Sequence, residues 1–328
     1  MSASNILIEQ IMTIFILIFI GVICYKTKLI DDDLIGKLSG ILITLIQPIL
    51  IFTSFQREFR MDLLEGLLIS LILAFITHIV AIGLSYILIR RKNRRIEYVD
   101  GVRRVTYAEN EDADVERIMT IYANMGFMGI PLVNGIYGSE GVFYVTACVM
   151  VFNLFIWTHG IVMISGSKKM KLKEIFQKVR NPAIISIIIG FIFFMFQIRL
   201  PNALNQSINY ISNMNTPFAM LIAGATIAKT DIIKMFTSNL RKYYIVFLKL
   251  LLIPFTLMLL YVWLPIDETV KMVAIFIATM PSSTTGTILT IKYKRNSILA
   301  SEILAMTTLL SILTIPFIIM IAELLSKR

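Results

Sequence analysis

Charged side chains are scarce in this sequence. Asp, Glu, Lys and Arg make up 16% of its 328 residues, against about 25% in soluble domains, so an ordinary water-facing surface is excluded. Cysteine is almost missing. Cys24 and Cys148 both fall inside apolar stretches with no partner spacing, which excludes a disulfide framework and a thiolate metal site. There is no G-x-S-x-G, H-E-x-x-H or Walker A phosphate loop, so no catalytic residue, enzyme activity, metal or cofactor is expected. No soluble ATPase domain is expected either, so ATP-driven work by this chain is not indicated. The first ten residues hold no Lys or Arg and carry Glu9, so the positive region of a secretory leader is missing and the first apolar run reads as a span.

What is present is apolar length. Hydrophobic residues make up 57% of the chain and fall into ten runs, at 6–24, 34–55, 63–89, 117–137, 141–164, 182–198, 204–228, 243–264, 270–291 and 297–325. A helix crosses about 30 Å of hydrocarbon in roughly 20 residues. The runs lack the alternation of barrel strands. The expected fold is therefore an all-α polytopic membrane protein with ten transmembrane helices. The net charge of +10 is an orientation signal rather than a nucleic-acid footprint. With the N-terminus outside, connections 1–2, 3–4, 5–6, 7–8 and 9–10, counting Arg117 at the edge of run 4, carry 23 of the 31 Lys and Arg residues, and the positive-inside rule then places both termini outside a plasma membrane.

Two basic linkers punctuate the chain. Residues 90–116 hold Arg90, Arg91, Lys92, Arg94 and Arg95, then Glu109, Glu111, Asp112 and Asp114; the simplest reading is a solvated cytoplasmic connection, and a regulatory role is the other. Residues 168–180 separate five runs from five, dividing the chain into repeats 1–167 and 168–328. An odd number of crossings per repeat makes homologous halves inverted. Helix breakers recur at matching places: Gln47-Pro48 in run 2 with Thr216-Pro217 in run 7, and Gly126, Gly129 and Pro131 in run 4 with Pro281 and Gly286 in run 9. The first pair of prolines is 169 residues apart and the second 150. The longer 3–4 connection accounts for the difference.

A mid-membrane proline removes a backbone donor and strands polar backbone in a medium that cannot solvate it. Run 4 reads Asn124-Met-Gly126-Phe-Met-Gly129-Ile-Pro131, and run 9 reads Pro281-Ser282-Ser283-Thr284-Thr285-Gly286. Paired discontinuous helices in inverted halves point to a midplane binding site in a carrier, and half-helix N-termini offer N–H groups to an anion. Packing kinks are the simpler alternative. Asn124 and Asn153 are interhelical amides or ligand donors. Thr53, Ser54, Asn215 and Thr216 either bond their own backbone or contribute beside their prolines. Lys249 is expected to snorkel toward the cytoplasm. His78 and His159 read as hydrogen-bonded structural residues, with proton relay as the alternative. No Asp lies at the centre of a run, which disfavours a cation exchanger built on buried carboxylates.

The run 4 segment resembles the N-x-G-F-x-G-x-P-L signature of the auxin efflux carrier family, bacterial permeases related to plant auxin exporters. The resemblance extends to Gln47-Pro48 in run 2, Asn215-Thr216-Pro217 with Ala223-Gly224-Ala225 in run 7, and Met280-Pro281 in run 9. It implies two inverted five-helix repeats forming a scaffold and a transport bundle, with helices 4 and 9 broken and crossing as in bile-acid symporters and sodium–proton antiporters. It also implies transport of small organic anions, such as dicarboxylates or auxin-like carboxylates. By matching position it implies ligand residues Asn124, Pro131, Asn153, Thr216 and Pro281, with neighbouring Gly126, Gly129, Pro217, Ser282, Ser283 and Thr284. The chain departs from the family in its long 3–4 connection. A second reading is a ligand sensor on a carrier fold, with residues 90–116 as output. The expected partners are the bilayer, a small organic anion and, as an option, a second copy of the chain; nucleic acid is not among them.

Overall fold

The structure, a computed structural model, describes residues 3–99, 102–166, 181–229 and 240–326. The basic linker at 168–180, and with it the boundary between the two expected repeats, lies outside the described residues. So does most of the connection between runs 7 and 8.

The chain forms α1 (Ala3–Lys26), α2 (Asp32–Ile41) continued by α3 (Gln47–Ser54), and α4 (Met61–Leu88). A hairpin of β1 (Lys92–Val99) and β2 (Val102–Glu109) precedes α5 (Ala113–Ile121), α6 (Ile130–Phe155) and α7 (Ile161–Ser165). Then come α8 (Pro182–Met195), α9 (Asn202–Asn213) and α10 (Asn215–Lys229). The last group is α11 (Leu240–Phe247), α12 (Ile253–Tyr261), α13 (Glu268–Ala278), α14 (Thr284–Lys292) and α15 (Ser297–Ser326). Several starts carry side-chain caps. Asp31, Asn181, Asp267 and Ser283 accept from the free N–H groups of the first turns of α2, α8, α13 and α14.

Among the described residues, five helical stretches are long and apolar enough to cross a membrane: Asp32–Ser54, Met61–Leu88, Met125–Ser165, Leu240–Tyr261 and Ser297–Ser326. Shorter apolar helices occupy Met12–Lys26 and Pro182–Met195. Their outward faces are oily: Ile72, Ile79 and Leu313 are 58%, 60% and 71% exposed. Such a surface requires a lipid solvent.

Three prolines shape the long helices in one way. Pro48, Pro131 and Pro254 each follow a π turn, at Leu42–Ile46, Met125–Gly129 and Leu248–Leu252. A proline ring collides with the carbonyl four residues back. Those carbonyls belong to Thr44, Phe127 and Leu250, the central residues of the three π turns, so the wider turn removes the collision without ending the helix. Helix α6 reverses at Gly138, whose φ of 59° and ψ of −154° are non-helical. A Cβ on Gly141 would lie 2.7 Å from Val133. In a straight helix residues eight apart are separated by about 12 Å, so the chain folds back there and runs 4 and 5 form a hairpin.

Helix α1 packs along α10, and α3 along α8. The first contact is made backbone to backbone: a Cβ on Gly224 would lie 1.9 Å from the Ile18 carbonyl oxygen, and one on Gly21 2.3 Å from that of Leu221. Small residues permit such close crossings.

Two sequence expectations are corrected. The helical class stands, but the connection expected as a solvated loop is structured: 92–109 pair as an antiparallel hairpin with Lys92 opposite Glu109 and Val99 opposite Val102. These strands are rich in Tyr, Val, Ile and Thr, residues that favour extended backbone. Run 7 is two helices divided at Met214 rather than one. Its first part, α9, carries four Asn residues and is largely exposed, while Pro217 sits in the first turn of α10, where its missing N–H breaks no helical bond.

Candidate functional site

Runs 4 and 9 are both interrupted, and they cross at their interruptions. Helix α5 ends at Ile121, after which Tyr122 takes extended angles. Helix α13 ends at Ala278, and Ser283 is extended before α14 begins. Ala123 and Ser282 pair as an antiparallel bridge between the two strands of broken backbone. The N–H of Asn124 donates to the carbonyl of Pro281 at 2.8 Å, and the N–H of Ser283 donates to that of Tyr122 at 3.0 Å. Pro281 has no N–H to continue its helix. The polar backbone freed by each break is satisfied by the other, as a buried crossing requires. Ser282 completes the closure: its hydroxyl donates to the Met119 carbonyl at 2.6 Å, and its N–H donates to Thr307 Oγ1 at 3.1 Å.

Beside the crossing lies a cavity of about 150 Å³ with amide and hydroxyl groups in its wall: Gln47, Asn124, Asn153, Asn181, Ser283 and Thr285, with Trp157 and Gly126. Gln47 Nε2 donates across it to the Gly126 carbonyl at 3.0 Å, tying the start of α3 to the π turn after the break. Asn153 Oδ1 accepts from Asn181 Nδ2 at 2.6 Å and from Trp157 Nε1 at 3.2 Å, while its Nδ2 donates to the Val149 carbonyl. The amide of Asn124 makes no side-chain hydrogen bond among the described residues, although the residue is 6% exposed. A larger apolar groove of about 540 Å³ runs between α1 and α15, lined by residues such as Phe15, Phe19 and Pro316. It lacks polar groups to orient a ligand.

The structure brings Asn124, Gly126, Asn153 and Ser283 to this cavity. Gly129, Pro131, Pro281, Ser282 and Thr284 build the crossing around it without lining it: a Cβ on Gly129 would press on Ile277 at 3.1 Å, and Pro131 and Thr284 open the helices that follow. Thr216 and Pro217 are not among its lining residues and lie in the first turn of α10. Gln47, Trp157, Asn181 and Thr285 were missed as lining residues. Gln47 carried a usable signal, an amide beside a proline in an apolar run.

A second polar group lies behind the crossing. Tyr122 contacts His159 Nδ1 and the Phe155 carbonyl through its hydroxyl, each at 2.9 Å. His78 Nδ1 is 2.9 Å from the Ala74 carbonyl, which only accepts, so the proton is on Nδ1; its ring stacks on Phe155 at 5.1 Å. Both histidines are therefore hydrogen-bonded in place. Lys249 does not snorkel: it is 3% exposed, because the π turn at Leu248–Leu252 holds it within the bundle.

An oily outward surface around long helices, two of which break and cross beside a polar cavity, defines a multi-pass helical membrane protein. The chain matches the family described as "Membrane transport protein" over residues 6–319 and belongs to it; this is the auxin efflux carrier family that its run 4 motif resembles. It is similar to an uncharacterised transporter of Methanothermobacter thermautotrophicus, with 24% identity over 316 residues covering 94% of this chain and 96% of that protein. It is also similar to the uncharacterised transporter YfdV of Escherichia coli strain K12, with 22% identity over 211 residues covering 62% of this chain and 66% of that one.

Proposed function

We propose that this chain is a secondary carrier of small organic anions that binds its substrate beside the crossing of runs 4 and 9 and works by alternating access. The carrying observation is the pair of interrupted helices joined at Asn124 and Pro281 next to a polar cavity. The segments that follow the breaks, from Met125 and from Thr284, begin at the crossing and direct N-terminal dipoles toward it. A carboxylate would take N–H and amide donors there, from Asn124, Gln47 and the backbone near Gly126 and Ser283.

The accompanying architecture is ten spans in two inverted repeats, 1–167 and 168–328, with both termini outside. Reciprocal packing supports it: run 1 lies on run 7 through α1 and α10, and run 2 on run 6 through α3 and α8. These four runs would form the scaffold, and runs 3, 4, 5, 8, 9 and 10 the moving bundle. The cavity takes Ile43, Gln47 and Asn181 from the first set and Asn124, Asn153 and Ser283 from the second, so rocking would open it to one side at a time. The test is uptake of labelled dicarboxylates and aromatic carboxylates into proteoliposomes, with and without imposed pH and potential gradients. Saturable accumulation supports the reading; binding without accumulation supports a sensor and overturns it.

A further inference from the structure

Among the described residues, Lys249 is a basic side chain with no counter-ion. Its π turn packs against α5 and α15 and lies between α11 and α12. The residue is 3% exposed, and among the described residues its ammonium has no hydrogen-bond or ion-pair partner. The carboxylates on the neighbouring helices that could pair with it are already engaged. On α5, Asp114 holds Arg91 at 2.9 Å, and Glu116 holds Arg241 of α11, with the closer oxygen on Nε and the other 2.8 Å from Nη2. On α15, Glu302 holds Lys242 of α11 at 2.9 Å, and Glu323, near the other end of that helix, has its own interaction. Arg117 of α5 donates to the Ile89 carbonyl. The Tyr261 hydroxyl of α12 donates to the Leu73 carbonyl. From α4, His78 lies within electrostatic range of Lys249 and donates to its own helix.

An unpaired ammonium buried in a membrane bundle costs several kcal/mol. Two arrangements avoid that cost. Either the amine is neutral, or a negative charge arrives nearby. The crossing supplies a place for that charge: His78 packs against the Tyr122 ring with centroids 6.2 Å apart, and Tyr122 is the residue whose carbonyl accepts from Ser283 in the crossing. We infer that Lys249 is the proton site of this carrier, taking up one proton when an anion occupies the crossing and releasing it when the anion leaves. The inference rests on the function proposed above and adds its coupling ion. The step is proton binding alone: the amine lone pair accepts a proton from the aqueous side from which the anion enters, and returns it on the other side. By linkage, bound proton and bound anion then strengthen each other's binding by the same factor.

The experiment uses the full chain in proteoliposomes with labelled malonate as probe, and a panel of other dicarboxylates and aromatic carboxylates if malonate is not moved. Wild type under a pH gradient of one unit should accumulate probe about tenfold, the limit for one proton per anion. Lys249→Met should lose that accumulation and raise the probe concentration that half-saturates probe–probe exchange, because the anion then binds without its linked proton, while exchange, which needs no net proton movement, persists at saturating probe. Monodisperse elution and an unchanged melting temperature establish that the variant folds. A variant that still accumulates probe under the pH gradient overturns the inference, as does one that folds and loses exchange together with accumulation. Wild type that moves the anion with no response to pH removes the proton site alone and leaves the carrier standing. Wild type that moves none of the panel removes both.

Discussion

The main-chain N–H of Asn124 and the carbonyl of Pro281, 157 residues apart in sequence, share a hydrogen bond of 2.8 Å. Together with the bond from the Ser283 N–H to the Tyr122 carbonyl at 3.0 Å, it marks the place where two broken helices meet. It exists because Pro281 cannot extend its own helix and because Tyr122, Ala123 and Asn124 have left theirs.

Restoring the missing donor should therefore damage the site. Pro281→Ala supplies an N–H at residue 281 and removes the ring that clashes with the preceding turn, which favours a helix running through the break. Uptake in proteoliposomes should fall by about tenfold or more, equivalent to roughly 1.4 kcal/mol, while the protein still inserts and elutes as a single species. Uptake equal to wild type would mean that the break does not organise the site.

Asn124 faces the cavity with an amide that has no side-chain partner. Asn124→Ala should weaken binding of a transported carboxylate about tenfold, since one hydrogen bond to a charged group contributes roughly 1.5–3 kcal/mol. Because no internal bond is lost, the melting temperature should hardly move. Equal affinity in the two proteins, measured by exchange kinetics at varied substrate concentration, would remove Asn124 from the site.

The Gly21–Gly224 crossing leaves no room for a side chain. Gly224→Leu must push α10 away from the Ile18 carbonyl, and overpacking of this kind costs about 3 kcal/mol. Thermal unfolding in detergent should show a clear drop, and Gly83→Leu on α4 is the control, since a Cβ there meets nothing within 4 Å.

Glu116 is 2% exposed and holds Arg241, with Asn110 donating to the same carboxylate at 2.8 Å. Glu116→Gln removes the buried charged partner of this pair and should destabilise the fold by about 3 kcal/mol. The double variant with Arg241→Met should recover part of that loss. A double variant no more stable than Glu116→Gln would show that the pair adds no coupling of its own.

Whereas the crossing of the broken helices was expected only from the family resemblance, the two breaks were legible in the sequence because a helix break is a local event: Gly126, Gly129, Pro131 and Pro281 act on the turns that contain them, whatever surrounds the chain. The same holds for the apolar runs. The lining of the cavity was only half legible. Gln47 bonds to Gly126 and Asn153 to Asn181, pairs 79 and 28 residues apart, and no pattern in either segment announces its partner. Thr216 and Pro217 were drawn toward the site by repeat position, yet α10 begins where Pro217 costs no bond.

The membrane solvent, the helical class and the two interrupted runs were determined by the sequence alone, since each follows from composition or from the backbone chemistry of single residues. Only the tertiary structure decided that the interruptions satisfy one another, that 92–109 pair as strands, and that Lys249 is buried rather than reaching for water. Those outcomes depend on which distant surfaces pack together. A side chain long enough to snorkel is held inside when a π turn and its packed neighbours direct it inward.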